Sequence, residues 1–283
     1  MSGLIDLLRY PFIVNALLTG SAVAVAAAAS GYFMVCRRAT FAGHALPNIG
    51  FAGAAGAVLF GIEPVYGLFA MTILAAVAIG VFARDLRDRD VTVGVIMTFA
   101  LGLGFLFLAL YSGYAQRVYG ILFGSILGIS AQASRITAIA AAGSLVGLVI
   151  LYRPLLFSTF DPELAAARGV SVSLLSVLFL VILAVIASLA VQVMGALLLF
   201  TLLVGPAATA TRIVKSPLAA IALSIALGLA YVLLGTMVAA ANGTVPVSFC
   251  IASISFLVYL PVRLFLIPGR RSSRRVARAG LSA

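Results

Sequence analysis

The sequence predicts an all-α, polytopic membrane protein with about nine transmembrane helices, and three observations carry that prediction. Of 283 residues, 64% are hydrophobic and only 9% are charged, where an average soluble protein carries about 25% charged residues. The mean hydropathy is +1.26, more apolar surface than a water-soluble core can use. The apolar residues also fall in runs long enough to span a bilayer core, which takes about 20 residues of helix. A soluble globular domain is excluded. The charges are lopsided, with 18 Lys and Arg against 7 acids for a formal net charge of +11, but a nucleic-acid binder would gather them into a polar, solvent-facing patch.

Taken in order, the first span is 12–35, between Pro11 and the Arg37-Arg38 pair. The second, 42–61, stops before Glu63 and carries Pro47. Spans follow at 65–83, between Pro64 and Arg84, and at 91–112, after Asp90. The fifth, 131–152, ends at Arg153, and the sixth is 171–190. The seventh, 193–211, contains Pro206 and ends at Arg212. Spans at 217–240 and 245–266 complete the set, so residues 1–283 form a single membrane domain with no soluble module. The second and seventh are the least sharply bounded; internal prolines are tolerated in membrane helices when neighbours satisfy the freed backbone groups. The segment 119–129 is apolar but too short to cross. With Gly120, Gly124 and Gly128 spaced by four it reads as a half-helix dipping into the protein, or as an interfacial loop helix.

Orientation follows from the positive-inside rule. With the N-terminus outside, the odd-numbered loops and the C-terminus face the cytoplasm and hold 15 of the 18 positive residues, leaving Arg9, Arg117 and Arg135 outside. The basic tail, about 268–283, is a topology determinant near anionic headgroups. The mixed run Arg84–Asp90 reads as a solvated turn, and Asn242-Gly243-Thr244 as a turn. The start of the chain runs into an apolar stretch too long for a cleavable signal peptide. Cys36 and Cys250 have neither metal-ligand spacing nor a disulfide framework. Internal repeats are not evident, and the small-residue runs 22–29 and 52–57 suit helix packing.

No catalytic set is visible: one histidine, few acids outside loops, and no phosphate-binding G-x-x-x-x-G-K-[ST] loop. The chain is therefore expected to be no enzyme and to hold no cofactor, and energy from ATP would have to come from another polypeptide. Most polar residues within the apolar runs are neutral, such as Asn15 and Gln192. The exception is residues 40–50, TFAGHALPNIG, where His44 and Asn48 are i and i+4 and share a helix face. Polar groups at membrane depth are costly and mark substrate paths, and imidazole suits zinc, copper, iron or nickel. Two such groups do not complete a four-coordinate site, although two copies across a dimer would supply four. A histidine that only hydrogen-bonds a neighbouring helix is the alternative.

A second informative stretch follows span five. Asp161 is a good N-cap, Pro162 suits the first helical position and Glu163 favours the positive end of the helix dipole. Gly169 can close the helix in the left-handed conformation. The stretch predicts a capped short helix over about 161–169, suited to docking in a partner's groove, or an interfacial helix with no partner.

These segments resemble the permeases of ABC-type zinc, manganese and iron importers. RRATFAGHALPNIGFAGAAGAVLFG is similar to the segment after that family's first span, roughly R-R-x-S-F-x-G-D-A-L-S-H-A-x-L-P-G. ILFGSILGIS, LFSTFDPELAAARGVSVSLL and MGALLLFTLLVGPAATATRI resemble three further landmarks, in the family's order. The resemblance implies a type II importer permease bundle that pairs with a second copy or a similar subunit, a cytoplasmic ATPase dimer that uses ATP, and an extracytoplasmic metal-binding protein. It implies that Asp161, Pro162, Glu163 and Gly169 belong to a coupling helix seated on the ATPase. It also places His44 and Asn48 where the family has a path-lining Asp and His, so here the carboxylate is lost and the imidazole has moved one turn. The implied function is ATP-driven import of a divalent transition metal, free or chelated, across the plasma membrane by alternating access. An ATP-independent carrier or channel for a small cation is the alternative, and a membrane scaffold a second. Neither nucleic acid nor a covalent step is expected.

Overall fold

The structure, a computed structural model, describes residues 11–83, 89–111, 131–242 and 244–265. Among them are nine long helices, one short helix and no strand. The long helices are α1 (Pro11–Cys36), α2 (Thr40–Leu59), α3 (Pro64–Phe82), α4 (Arg89–Leu110) and α5 (Ala131–Phe160). After the short α6 (Pro162–Ala167) come α7 (Val172–Met194), α8 (Ala196–Ile213), α9 (Pro217–Asn242) and α10 (Val247–Phe265). The expected half-helix at 119–129 and the tail at 268–283 lie outside the described residues.

Seven of these helices are long and apolar enough to cross a membrane by length and composition; α2 is not among them, and α8 contributes only the shorter stretch Leu198–Ile213. These are the two spans whose bounds were softest in the sequence, and the packing explains both. Thirteen of the twenty residues of α2 are buried, so the helix is wrapped by protein and can carry glycines, Pro47, His44 and Asn48 that lipid would penalise. Leu198, Leu199, Leu202, Leu203, Ala207 and Ala210 of α8 are likewise buried. By contrast α4 turns Val95, Phe99 and Leu106 outward, as a helix facing acyl chains does.

Two groups of helices surround a central pair. In one group α3 and α4 pack on α2; in the other α8, α9 and α10 pack on one another. The central α1 lies against α5, α7, α8 and α9, and α7 lies against α3, α5 and α1. Contact between helices rests on small residues, because lipid offers no hydrophobic drive for helix association. A Cβ built on Gly53 would meet the carbonyl oxygen of Gly67, and one built on Gly67 would meet that of Gly53. The α2–α3 crossing is therefore backbone on backbone. Gly53→Val should cost about 2 kcal/mol or more by overpacking, read as a lower unfolding temperature of the purified protein; an unchanged temperature would refute this crossing.

Two boundaries differ from the sequence expectation. Residues 153–160 were expected to lie in a loop but continue α5 to Phe160, past Pro154. The Ser158 and Thr159 hydroxyls donate back to the Leu155 carbonyl, and the exposed Arg153 sits on the helix surface. The apolar stretch expected to begin at 193 divides at Gly195 (φ 83°), which alone separates α7 from α8.

Candidate functional site: a half-buried histidine and a braced short helix

His44 and Asn48 lie one turn apart on α2, both half-buried on a helix that is mostly enclosed. The residues between them, Ala45, Leu46 and Pro47, are fully packed, so the two polar side chains occupy the open stripe of this helix. The His44 ring meets the Phe200 ring of α8 edge to face, with centroids 4.9 Å apart and planes at 70°. Asn48 donates from Nδ2 to the His44 carbonyl at 2.8 Å. That bond anchors the amide to its own helix through Nδ2, and Oδ1 is the better metal ligand of the two amide atoms. Among the described residues no three His, Cys, Asp or Glu side chains come together as a metal site. One copy of the chain thus offers one imidazole and one amide oxygen on this face, with no carboxylate beside them.

The short helix is built as its residues dictate. The Asp161 carboxylate accepts from the Leu164 backbone N–H at 2.9 Å, Pro162 occupies the first position and Glu163 the first turn. The C-terminal end closes through Gly169, at φ +82°, with the Val170 N–H donating to the Ala165 carbonyl at 3.0 Å. Ala165 is fully buried and seats the helix, while Asp161, Pro162, Glu163, Leu164, Ala166 and Ala167 are exposed. A seated helix with an exposed face is suited to receiving a partner. Asp161→Ala removes the cap at a cost of about 1 kcal/mol, so amide hydrogen exchange over 162–167 should accelerate about fivefold; unchanged exchange would show that tertiary seating alone holds the helix.

Sequence reasoning counted Arg37 only as a topology charge. In the structure its guanidinium donates to Ser158 Oγ at 2.9 Å and Thr159 Oγ1 at 3.2 Å on α5, and to Ser176 Oγ at 2.6 Å on α7. These are the two helices that α6 joins, so Arg37 braces both ends of the short helix from the end of α1. Burial, and secondarily the neighbouring Arg89, push this guanidinium down to about 10. The available signal was the group of hydroxyls, Ser158, Thr159, Ser173 and Ser176, flanking the capped helix in otherwise apolar sequence. At the end of α8, Arg212 stacks over the Tyr259 ring at 5.8 Å, and Arg263 donates to the Tyr259 hydroxyl at 3.0 Å. Arg37 and Arg38, after α1, and Arg89, the first residue of α4, line one common cavity beside α6, so these positive residues share one end of the bundle.

Residues 9–265 match the family described as the ABC 3 transport family. The chain is 30% identical over 273 residues to the manganese import system permease protein ScaB of Streptococcus pneumoniae, covering 94% of each chain. It is 29% identical over 267 residues to the ScaB protein of Streptococcus parasanguinis, again covering 94% of each. Among solved structures, PsaBC from Streptococcus pneumoniae in complex with Fab superposes with a TM-score of 0.82 at 27% identity, covering 96% of this chain and 98% of that one.

Proposed function

The chain belongs to the ABC 3 transport family, a multi-pass membrane permease rather than an enzyme, and from that premise we propose that it imports a divalent transition metal, zinc, manganese or iron, free or chelated. Two copies form the pathway, and His44 and Asn48 of each line it. The pathway opens to one side at a time as a separate cytoplasmic ATPase dimer binds ATP against α6, through Asp161, Pro162, Glu163 and Gly169. An extracytoplasmic metal-binding protein delivers the cargo. The C-terminus and the basic loops face the cytoplasm of the cell whose plasma membrane holds the protein.

The single observation that carries this reading is the seated, capped and outwardly exposed α6, braced through Arg37 to the helix ends on both sides. Relatives named as manganese import permeases over nearly the full chain support the cargo class. A pathway of imidazoles and amides without carboxylates is a poor substitute for the hydration shell of a bare divalent ion, which favours weak coordination in transit or a chelated cargo. Co-purification tests the partnership. The permease should bring down an ATPase from its native membrane, and Glu163→Arg should reduce the recovered ATPase by about tenfold by reversing the charge of the docking face. A permease recovered alone under all mild extraction conditions would remove α6 from its assigned role.

A further inference from the structure

Beside α6 lies a cavity of about 410 Å³ at the junction of the ends of α1, α3 and α5 with the starts of α4, α6 and α7. Three arginines line it, Arg37, Arg38 and Arg89, together with Ser173, Ser176 and Pro162. Among the described residues no carboxylate lines it. Asp90, adjacent in sequence to Arg89, offsets part of that charge through space without reaching the cavity wall.

Among the described residues, no hydrogen bond to a carboxylate answers this charge. Arg37 donates only to neutral hydroxyls, and two of those, on Ser158 and Thr159, spend their own protons on the Leu155 carbonyl. The Arg89 Nε is buried with no hydrogen-bond partner. Arg38 is held in the left-handed region at φ 53°, uncommon for a residue with a side chain. Three arginines beside one carboxylate leave an excess of positive charge, which is costly at the partly buried Arg37 and Arg89, and planar forks of N–H donors are the usual recognition element for phosphate oxygens. We propose that this cavity binds a phosphate group, carried by an anionic lipid headgroup or by a soluble phosphate species, with Arg89, Arg38 and Arg37 as its cationic ligands. The bound group offsets part of the cluster's charge and ties the α3–α4 end to the end of α5 and the start of α7 that flank the short helix. The proposal stands on the cavity and its chemistry, and does not depend on the cargo or on the direction of transport.

The test uses the full-length permease, purified in a neutral detergent and stripped of lipid. It is titrated with short-chain phosphatidylglycerol, with inorganic phosphate, and with short-chain phosphatidylcholine as a control without net charge. Binding is read by native mass spectrometry and by the shift in unfolding temperature. Saturable binding of phosphatidylglycerol alone identifies a lipid headgroup, and binding of inorganic phosphate identifies a soluble source. In either case Arg89→Gln and Arg38→Gln should each weaken binding by about tenfold. The unliganded unfolding temperature of each variant separates lost binding from lost folding, and Arg38→Lys should recover part of the affinity. Three results would overturn the proposal: no saturable binding of either anionic probe, equal binding of phosphatidylcholine, or unchanged affinity in well-folded arginine variants.

Discussion

Gly169→Val is expected to lower ATP-dependent metal uptake by about tenfold or more while the permease reaches the membrane at normal abundance. The effect comes from the backbone. Gly169 sits at φ +82° with nothing within 4 Å of a Cβ built on it, so a side chain meets no steric obstacle but a β-branched residue cannot hold the conformation cheaply. Forcing it costs about 1–3 kcal/mol, and about 1.4 kcal/mol is a factor of ten. The chain turns there from α6 into α7, so relieving the strain shifts the exposed face of α6 relative to Ser176 and the Arg37 brace. Asparagine visits the left-handed region more readily than other residues with a side chain, so Gly169→Asn should retain most of the uptake. Equal uptake in wild type and Gly169→Val, at equal abundance, would show that the geometry of this turn is irrelevant to coupling.

The second large effect is expected at His44. His44→Ala should reduce uptake by about tenfold or more, because this is the sole imidazole of the chain and imidazole is the strongest transition-metal donor on the open face of α2. His44→Phe separates lining from packing, since it keeps an aromatic ring against Phe200 and removes both nitrogens. If the phenylalanine variant transports as wild type does, the ring of His44 serves the α2–α8 contact alone. Asn48→Ala should have a smaller effect, because its amide contributes only a neutral oxygen, its Nδ2 being tied to the His44 carbonyl.

The parts of this account legible in sequence are those fixed by local rules. Apolar runs bounded by charge and proline marked the long helices, because span length is set by bilayer thickness. Asp161, Pro162 and Gly169 announced a capped helix because each satisfies a backbone requirement within a few residues. The i, i+4 spacing of His44 and Asn48 put them on one face. The Arg37 brace was out of reach, since its partners lie 121, 122 and 139 residues along the chain, and only the packing of α1 against α5 and α7 brings them together. Residues 153–160 were misread as a loop because an arginine and a proline commonly end a span, whereas here the helix runs through both. The soft bounds of α2 had a physical cause as well: a helix sheathed by protein is under no pressure to be as apolar as one sheathed by lipid. His44 is the remaining case. Sequence placed it on a face, and the contact with Phe200 places that face toward α8, where the fourth resembling segment lies.

The most direct test is metal accumulation in sealed vesicles that contain this permease and its partner ATPase, with ATP supplied on the ATPase side and the metal-loaded binding protein on the opposite side. The account predicts accumulation against a gradient that requires both ATP and the ATPase, and that is lost in Gly169→Val. Metal flux by the permease alone, running only down its gradient and indifferent to ATP, would contradict it and identify an ATP-independent carrier or channel.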